Sequence, residues 1–141
     1  EEGAELLAGG NALTEGEYAD GHFVEPTVFT GVEEDMRLFR EEIFGPVVGV
    51  TTVSGYEEAI AAANNVQYGL SASIVTEEHR EANRFVEESE SGVVKVNDET
   101  TGLELHVPFG GYKRSSTNTY REQGDAAVDF YTSIKTVYDN Y

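Results

Sequence analysis

Apolar and polar positions change rhythm along this chain. The first third is irregular. ELLAGG at residues 5–10 is a short apolar opening, and residues 13–21 are polar and rich in Gly and Glu, as a surface loop would be. HFVEPTVF alternates apolar positions around Pro26, which suits an edge strand or an extended segment better than a central strand, because proline cannot donate to a ladder. In EEDMRLFREEIF, Met36 and Phe39 lie three apart, the spacing of a short helix.

From Val47 the rhythm becomes regular. VVGVTTV is β-branched and reads as a buried strand, and SGYEEAIAAANN behind it reads as a helix. Ser54 stands at its N-cap, and Glu57 three residues on completes a capping box. LSASIVT is the next strand. Thr76 can then cap EEHREANRFVEES, whose Ala82, Phe85, Val86 and Ser89 fall on one helical face. GVVKV is a third strand, REQGDAAVDFYTS a final helix and IKTVYDNY a closing strand. Strand, helix, strand, helix, strand with short connections implies parallel neighbours and right-handed crossovers, hence an α/β fold with a layered sheet flanked by helices. Ligands of such sheets lie beyond the carboxyl ends of the strands, where residues 97–120 form a long, glycine-marked loop.

Composition narrows the partners. With 141 residues the chain is the size of one domain, long enough on scaling grounds to bury a core. Twenty-seven acidic residues against nine basic ones give a net charge of -18, which disfavours nucleic acid because phosphate binding needs a basic surface. There is no long apolar run, signal-like segment or polybasic stretch, so a membrane is not expected as a partner and a cytoplasmic location is. A charge this one-sided repels itself unless salt screens it, and with only Lys95, Lys113 and Lys135 as lysines the composition resembles that of proteins from salt-loving organisms. An ordinary acidic surface is the plainer reading. Cysteine is absent, which removes disulfides, thiolate metal sites and cysteine nucleophiles together. The chain opens on Glu1 and its one methionine is Met36, as expected of a processed product, a trimmed chain or a piece of a longer polypeptide.

Few motifs carry chemistry. His22, His79 and His106 are far apart and no cysteine stands near them, so no metal site is expected. FGGYK lacks the spacer and hydroxyl of a phosphate loop, and its glycines signal a tight turn. REEIFGPVV, from Arg40 to Val48, is less ordinary. In one reading Gly-Pro is a turn, Phe44 is core and the glutamates are solvated. In the other, Glu42 and Phe44, two apart on an extended approach to a strand, face the same way. A carboxylate can accept two hydroxyl hydrogen bonds from a sugar and an aromatic can pack on a flat ring, a pair suited to a ribose carrying a base.

Six segments together, GHFVEPTVF, EEIFGPVV, ANNVQYGLSASIVT, GVVKVN, PFGGYKRS and KTVY, resemble in order and spacing the C-terminal part of the NAD(P)-dependent aldehyde dehydrogenases. The resemblance implies the C-terminal portion of that family's catalytic domain over residues 1–131 and an oligomerisation arm over 132–141, which pairs with a neighbouring subunit in a homo-oligomer, dimer or tetramer. It implies that Glu42 binds the nicotinamide ribose hydroxyls of NAD or NADP and that Phe44 packs beside the nicotinamide. The loop after Asn97 would line the pocket of a small aldehyde, with Phe109 at a family aromatic position and Thr100 and Thr101 near the mouth. DETTGLELHV departs from the aromatic-rich loop of many relatives. TTGLELHVPFGGYKRSS, REQG and DFYTSIKTVY look most like the 2,5-dioxovalerate (α-ketoglutarate semialdehyde) dehydrogenases, and a hydroxyl-bearing loop suits a polar substrate.

The family's chemistry needs a cysteine thiolate to attack the aldehyde, and this chain has none. No catalytic residue is therefore assigned here, and the isolated chain is expected to be inactive. The competing reading is a non-catalytic acidic binding or oligomerisation module derived from the family.

Overall fold

The computed structural model describes residues 2–116 and 121–141. The end of the long loop, residues 117–120, lies outside the described residues. The chain forms two compact units, Glu1–Val66 and Gln67–Tyr141.

The first unit is built on a three-stranded sheet in the order β1-β4-β5, from β1 (Glu5–Ala8), β4 (Thr27–Thr30) and β5 (Val47–Val50). A small antiparallel pair, β2 (Ala12–Leu13) with β3 (Phe23–Val24), brackets a single 3-10 turn at Gly16–Tyr18. Pro26 falls in the gap between β3 and β4, so it removes no donor from either strand. That placement overturns the edge-strand expectation. β4 is central, antiparallel to β1 and parallel to β5, because the proline ends one strand before the next begins. The sheet's edges are instead β1 and β5, and in β5 Val48 and Val50 are substantially exposed rather than buried as the β-branched run suggested.

Between β4 and β5 runs the short helix α1 (Arg37–Arg40), with Met36 buried at its N-cap. Helix α2 (Tyr56–Asn64) follows β5 and buries Ile60 and Ala62. Its start differs in detail from the expected capping box. Gly55 is the N-cap and makes no side-chain cap bond. One position further out, the Ser54 amide and hydroxyl both donate to Glu58 Oε2, at 2.7 and 2.6 Å. Glu58 thus takes the part expected of Glu57, since it occupies the third helical position once the helix begins at Tyr56.

The second unit contains β6 (Tyr68–Gly69), β7 (Ser71–Ile74), α3 (His79–Glu88), β8 (Val93–Val96), β9 (Tyr112–Lys113) and α4 (Ala126–Tyr131). β7 and β8 are parallel and joined by α3, the crossover unit that the sequence pattern predicts, and β6 pairs with β9 antiparallel. Parallel pairing is therefore realised twice, as β4 with β5 and as β7 with β8.

Helix α3 buries Ala82 and Phe85, whereas Val86 is exposed. Thr76 acts ahead of the helix: its hydroxyl accepts from the Glu78 amide at 3.0 Å and donates to Glu81 at 2.9 Å. Residues 134–141, expected as a closing strand, join no ladder among the described residues, because no strand lies beside them to pair with; Ile134 and Tyr138 are almost wholly exposed and Val137 largely so. The interior is thin for a chain of this length, with no described side chain fully buried.

Candidate functional site

In the first unit, the segment between α1 and β5 presents the predicted cofactor residues. Arg37 Nη2 and Nε reach Glu41 Oε2 at 2.9 and 3.2 Å, a pair one helical turn apart. The Arg37 guanidinium holds the Glu41 carboxyl below the usual glutamate range, first by hydrogen bonding and then by its charge, and the Arg37 pKa is raised in return. Glu42 is exposed and makes no hydrogen bond or ion pair among the described residues. Two adjacent glutamates are thereby separated in role: one is committed to the helix and the other is not.

Phe44 is the unusual residue. Its φ is +51°, in the left-handed region where a bulky side chain is rare, and 92% of its surface is exposed. Within these 141 residues Phe44 is therefore not part of a core. A left-handed residue other than glycine costs about 1–2 kcal/mol, and an exposed ring gains nothing from packing to offset it. Strain of this kind concentrates at ligand clamps and active sites. Beyond it, the Val47 amide donates to Gly45 O at 2.8 Å, a tight turn around Pro46, and the Pro46 carbonyl accepts from the Thr27 amide at 2.8 Å. The turn thus delivers the chain directly into the β4–β5 ladder, with Glu42 and Phe44 just outside it. An acceptor-only carboxylate without a partner and an unpacked ring are the groups that a ribose diol and an adjoining flat heterocycle require.

In the second unit the predicted substrate residues are fixed through their backbones. Thr100 O accepts from Ser71 Oγ at 3.1 Å, and Thr101 O accepts from Lys95 Nζ at 2.5 Å. Both threonine side chains are exposed. Lys95 Nζ also donates to Gly102 O at 2.7 Å and lies 3.3 Å from Asp98 Oδ2, while Ser73 Oγ donates to Asp98 O at 2.5 Å. Sequence reading passed over Ser71, Ser73 and Lys95. The available signal was a lysine inside the otherwise apolar GVVKV and two serines alternating along LSASI.

Phe109 is half-buried further along the loop, in a two-way backbone bridge with Glu122 at 2.6 and 2.8 Å. The adjoining glycines answer the FGGYK question. A Cβ on Gly92 would stand 1.9 Å from Gly110 O, and one on Gly111 would stand 2.4 Å from Ser115 O, so these backbones meet where no side chain fits. Arg121 closes the arrangement, donating to Gly111 O at 2.8 Å and lying 4.9 Å from the Tyr112 ring centroid.

Solved structures of NAD-bound aldehyde dehydrogenases share this architecture. An indole-3-acetaldehyde dehydrogenase of P. syringae, in complex with NAD+ and IAA, superposes with a TM-score of 0.86 at 40% identity, over 95% of this chain and 26% of that one. Betaine aldehyde dehydrogenase of Staphylococcus aureus, in complex with NAD+, gives 0.85 at 36% identity over 92% of this chain and 25% of that one. Residues 1–137 match the aldehyde dehydrogenase family, and the chain belongs to it. Among curated relatives, the α-ketoglutarate semialdehyde dehydrogenase of Haloferax volcanii is 69% identical over 99% of this chain and 29% of its own length. The 2,5-dioxopentanoate dehydrogenase of Saccharolobus solfataricus is 49% identical over 99% of this chain and 28% of its own. The chain thus spans under a third of the relatives it matches.

Proposed function

We propose that this chain is the part of an NAD(P)-dependent aldehyde dehydrogenase that contacts the nicotinamide ribose and lines the aldehyde pocket, in an enzyme oxidising a polar semialdehyde of the 2,5-dioxopentanoate type to the carboxylate. The observation that carries the reading is the pairing of an uncommitted Glu42 with a strained, fully displayed Phe44 two residues on. Glu42 accepts the ribose hydroxyls and Phe44 limits where the ring can lie, while Thr100 and Thr101 offer hydroxyl donors to a substrate oxygen. The bound nicotinamide supplies the hydride acceptor. No cysteine occurs in the 141 residues, so the nucleophile is supplied by polypeptide outside this sequence and the isolated chain is inactive.

The 69% identity to the Haloferax volcanii relative supports the polar substrate and makes the test practical. A chimera carrying this chain in place of the matching segment of that relative is assayed with 2,5-dioxopentanoate and with propionaldehyde, using NAD and NADP. The expected result is a kcat/KM for 2,5-dioxopentanoate at least about tenfold above that for propionaldehyde, the scale of one or two well-placed polar contacts. Equal use of both aldehydes overturns the substrate assignment, and turnover by the isolated chain overturns the assignment of the nucleophile. Among the described residues, no helix is long and apolar enough to cross a membrane.

A further inference from the structure

We propose that Lys95 is a positioning residue for substrate recognition. With Ser71 and Ser73 it fastens the backbone of residues 98–102 to one face of the β7–β8 pair, so that the Thr100 and Thr101 side chains are presented outward. The inference rests on the reading above that this loop lines the aldehyde pocket.

The ladder dictates which side chains can act together. Ser71 pairs with Val93 and Ser73 with Lys95, and alternate residues of a strand share a face, so Ser71, Ser73 and Lys95 project on the same side. Their acceptors are the consecutive stations of the loop: Asp98 O for Ser73, Thr100 O for Ser71, and Thr101 O and Gly102 O for Lys95. An ammonium has three N–H donors. Here two of them meet carbonyls, Asp98 Oδ2 lies 3.3 Å away as an ion-pair partner, and the side chain is only 16% exposed. A lysine so engaged is held by the loop and already has a carboxylate as its ion-pair partner. Its charge is balanced by Asp98, and its effect on a ligand passes through the loop it holds.

That hold is selective. Because the bonds take the carbonyls of residues 100 and 101, the threonine hydroxyls have no partner among the described residues and stay available. Gly102, at φ +71°, lets the chain turn away immediately after the last bond. Charge-assisted bonds are about twice as strong as neutral ones, which makes Lys95 the principal fastening and the two serines auxiliary.

The experiment uses the chimera described above and replaces Lys95 by Met, which keeps the stem and removes the donors, and by Arg, which keeps charge and donors. For Lys95→Met, KM for 2,5-dioxopentanoate should rise about tenfold or more while propionaldehyde KM and kcat change less than about twofold, since misplacement of a positioning group costs up to about a hundredfold. Lys95→Arg should stay near the parent. Ser73→Ala, a milder change at the neighbouring station, should move the same parameter in the same direction.

Carbonyl carbon-13 shifts of Thr101 and Gly102, the groups that accept from Lys95 Nζ, should move in Lys95→Met and much less in Lys95→Arg. Equal KM changes for both aldehydes, no change for either, or unaltered carbonyl shifts in Lys95→Met overturns the proposal. If the parent chimera shows no preference between the aldehydes, the substrate reading fails, and the carbonyl shifts still decide whether Lys95 holds the loop.

Discussion

Arg37 and Glu41 face each other across one helical turn at 2.9 Å, and the pair leaves the very next residue, Glu42, as the uncommitted carboxylate. A neighbouring glutamate that could compete for the same ligand is held by its own cation. The structural asymmetry of the Glu-Glu pair follows from that bond and not from the residues themselves, which are identical.

Single-turnover NAD(P)H formation in the chimera should separate the two glutamates. Glu42→Gln keeps the shape but loses the charge-assisted part of its bonds to the ribose, and hydride transfer should slow by about tenfold or more. The later hydrolysis of the acyl group from the relative's cysteine, which does not involve the ribose, should be much less affected. Glu41→Gln should leave hydride transfer within about twofold. Equal losses at both positions would return the segment to a plain turn before a strand.

Phe44 should show a trade between stability and activity. Phe44→Gly relieves the left-handed strain and forfeits no packing, because the ring is 92% exposed, so stability should rise by about 1 kcal/mol. Hydride transfer should fall as the nicotinamide is left less confined. Denaturant unfolding and single-turnover kinetics on the same variant check the two halves, and a loss of stability would show that the ring packs in solution.

The start of α2 carries a pH signature. Hydrogen bonds from the Ser54 hydroxyl and then from its amide lower the Glu58 pKa. A carboxylate with a depressed folded pKa contributes stability that is present above its unfolded value, about 4.3, and is lost as pH falls through the lower folded value. Carbon-13 titration of the Glu58 carboxyl should give a midpoint below the ordinary glutamate range. Ser54→Ala should move it back up, and an unchanged midpoint would discount the hydroxyl's part.

The -18 charge predicts salt dependence. At about 1 M salt the Debye length falls to about 3 Å, so raising KCl from dilute buffer to molar levels should raise the thermal midpoint and the helical circular dichroism. A flat or falling midpoint would assign the acidity to an ordinary solvated surface.

The C-terminal segment predicts an assembly contact. Ile134 and Tyr138, 96% and 89% exposed, lie in a segment that joins no ladder among the described residues, which leaves backbone and apolar groups open to another chain. Removing residues 134–141 from the chimera should shift its light-scattering mass toward smaller assemblies, and an unchanged mass would remove the arm from the interface.

Much of the molecule is legible in the sequence because it depends on neighbours in the chain. The 3.6-residue periodicity gives α3 with Ala82 and Phe85 inward, and the β-strand rhythm with short connections gives the β7-α3-β8 crossover. Pro26 marks a break in the strand pattern whatever the fold. The absence of cysteine, a matter of composition alone, already separates this chain from the family's nucleophile.

What only the tertiary structure decided are relations between residues distant in sequence or sensitive to one position of register. Whether the strand after Pro26 is central or at an edge depends on β1 and β5 arriving on its two sides, which no local pattern encodes. Which glutamate reaches Ser54 turned on the helix beginning one residue later than its cap signal. Lys95 looks in sequence like an interruption of an apolar strand. Its meaning appears only when the loop folds back and brings two carbonyls and Asp98 to a single ammonium, because a lysine is stable on a covered sheet face only where acceptors replace the water it has lost.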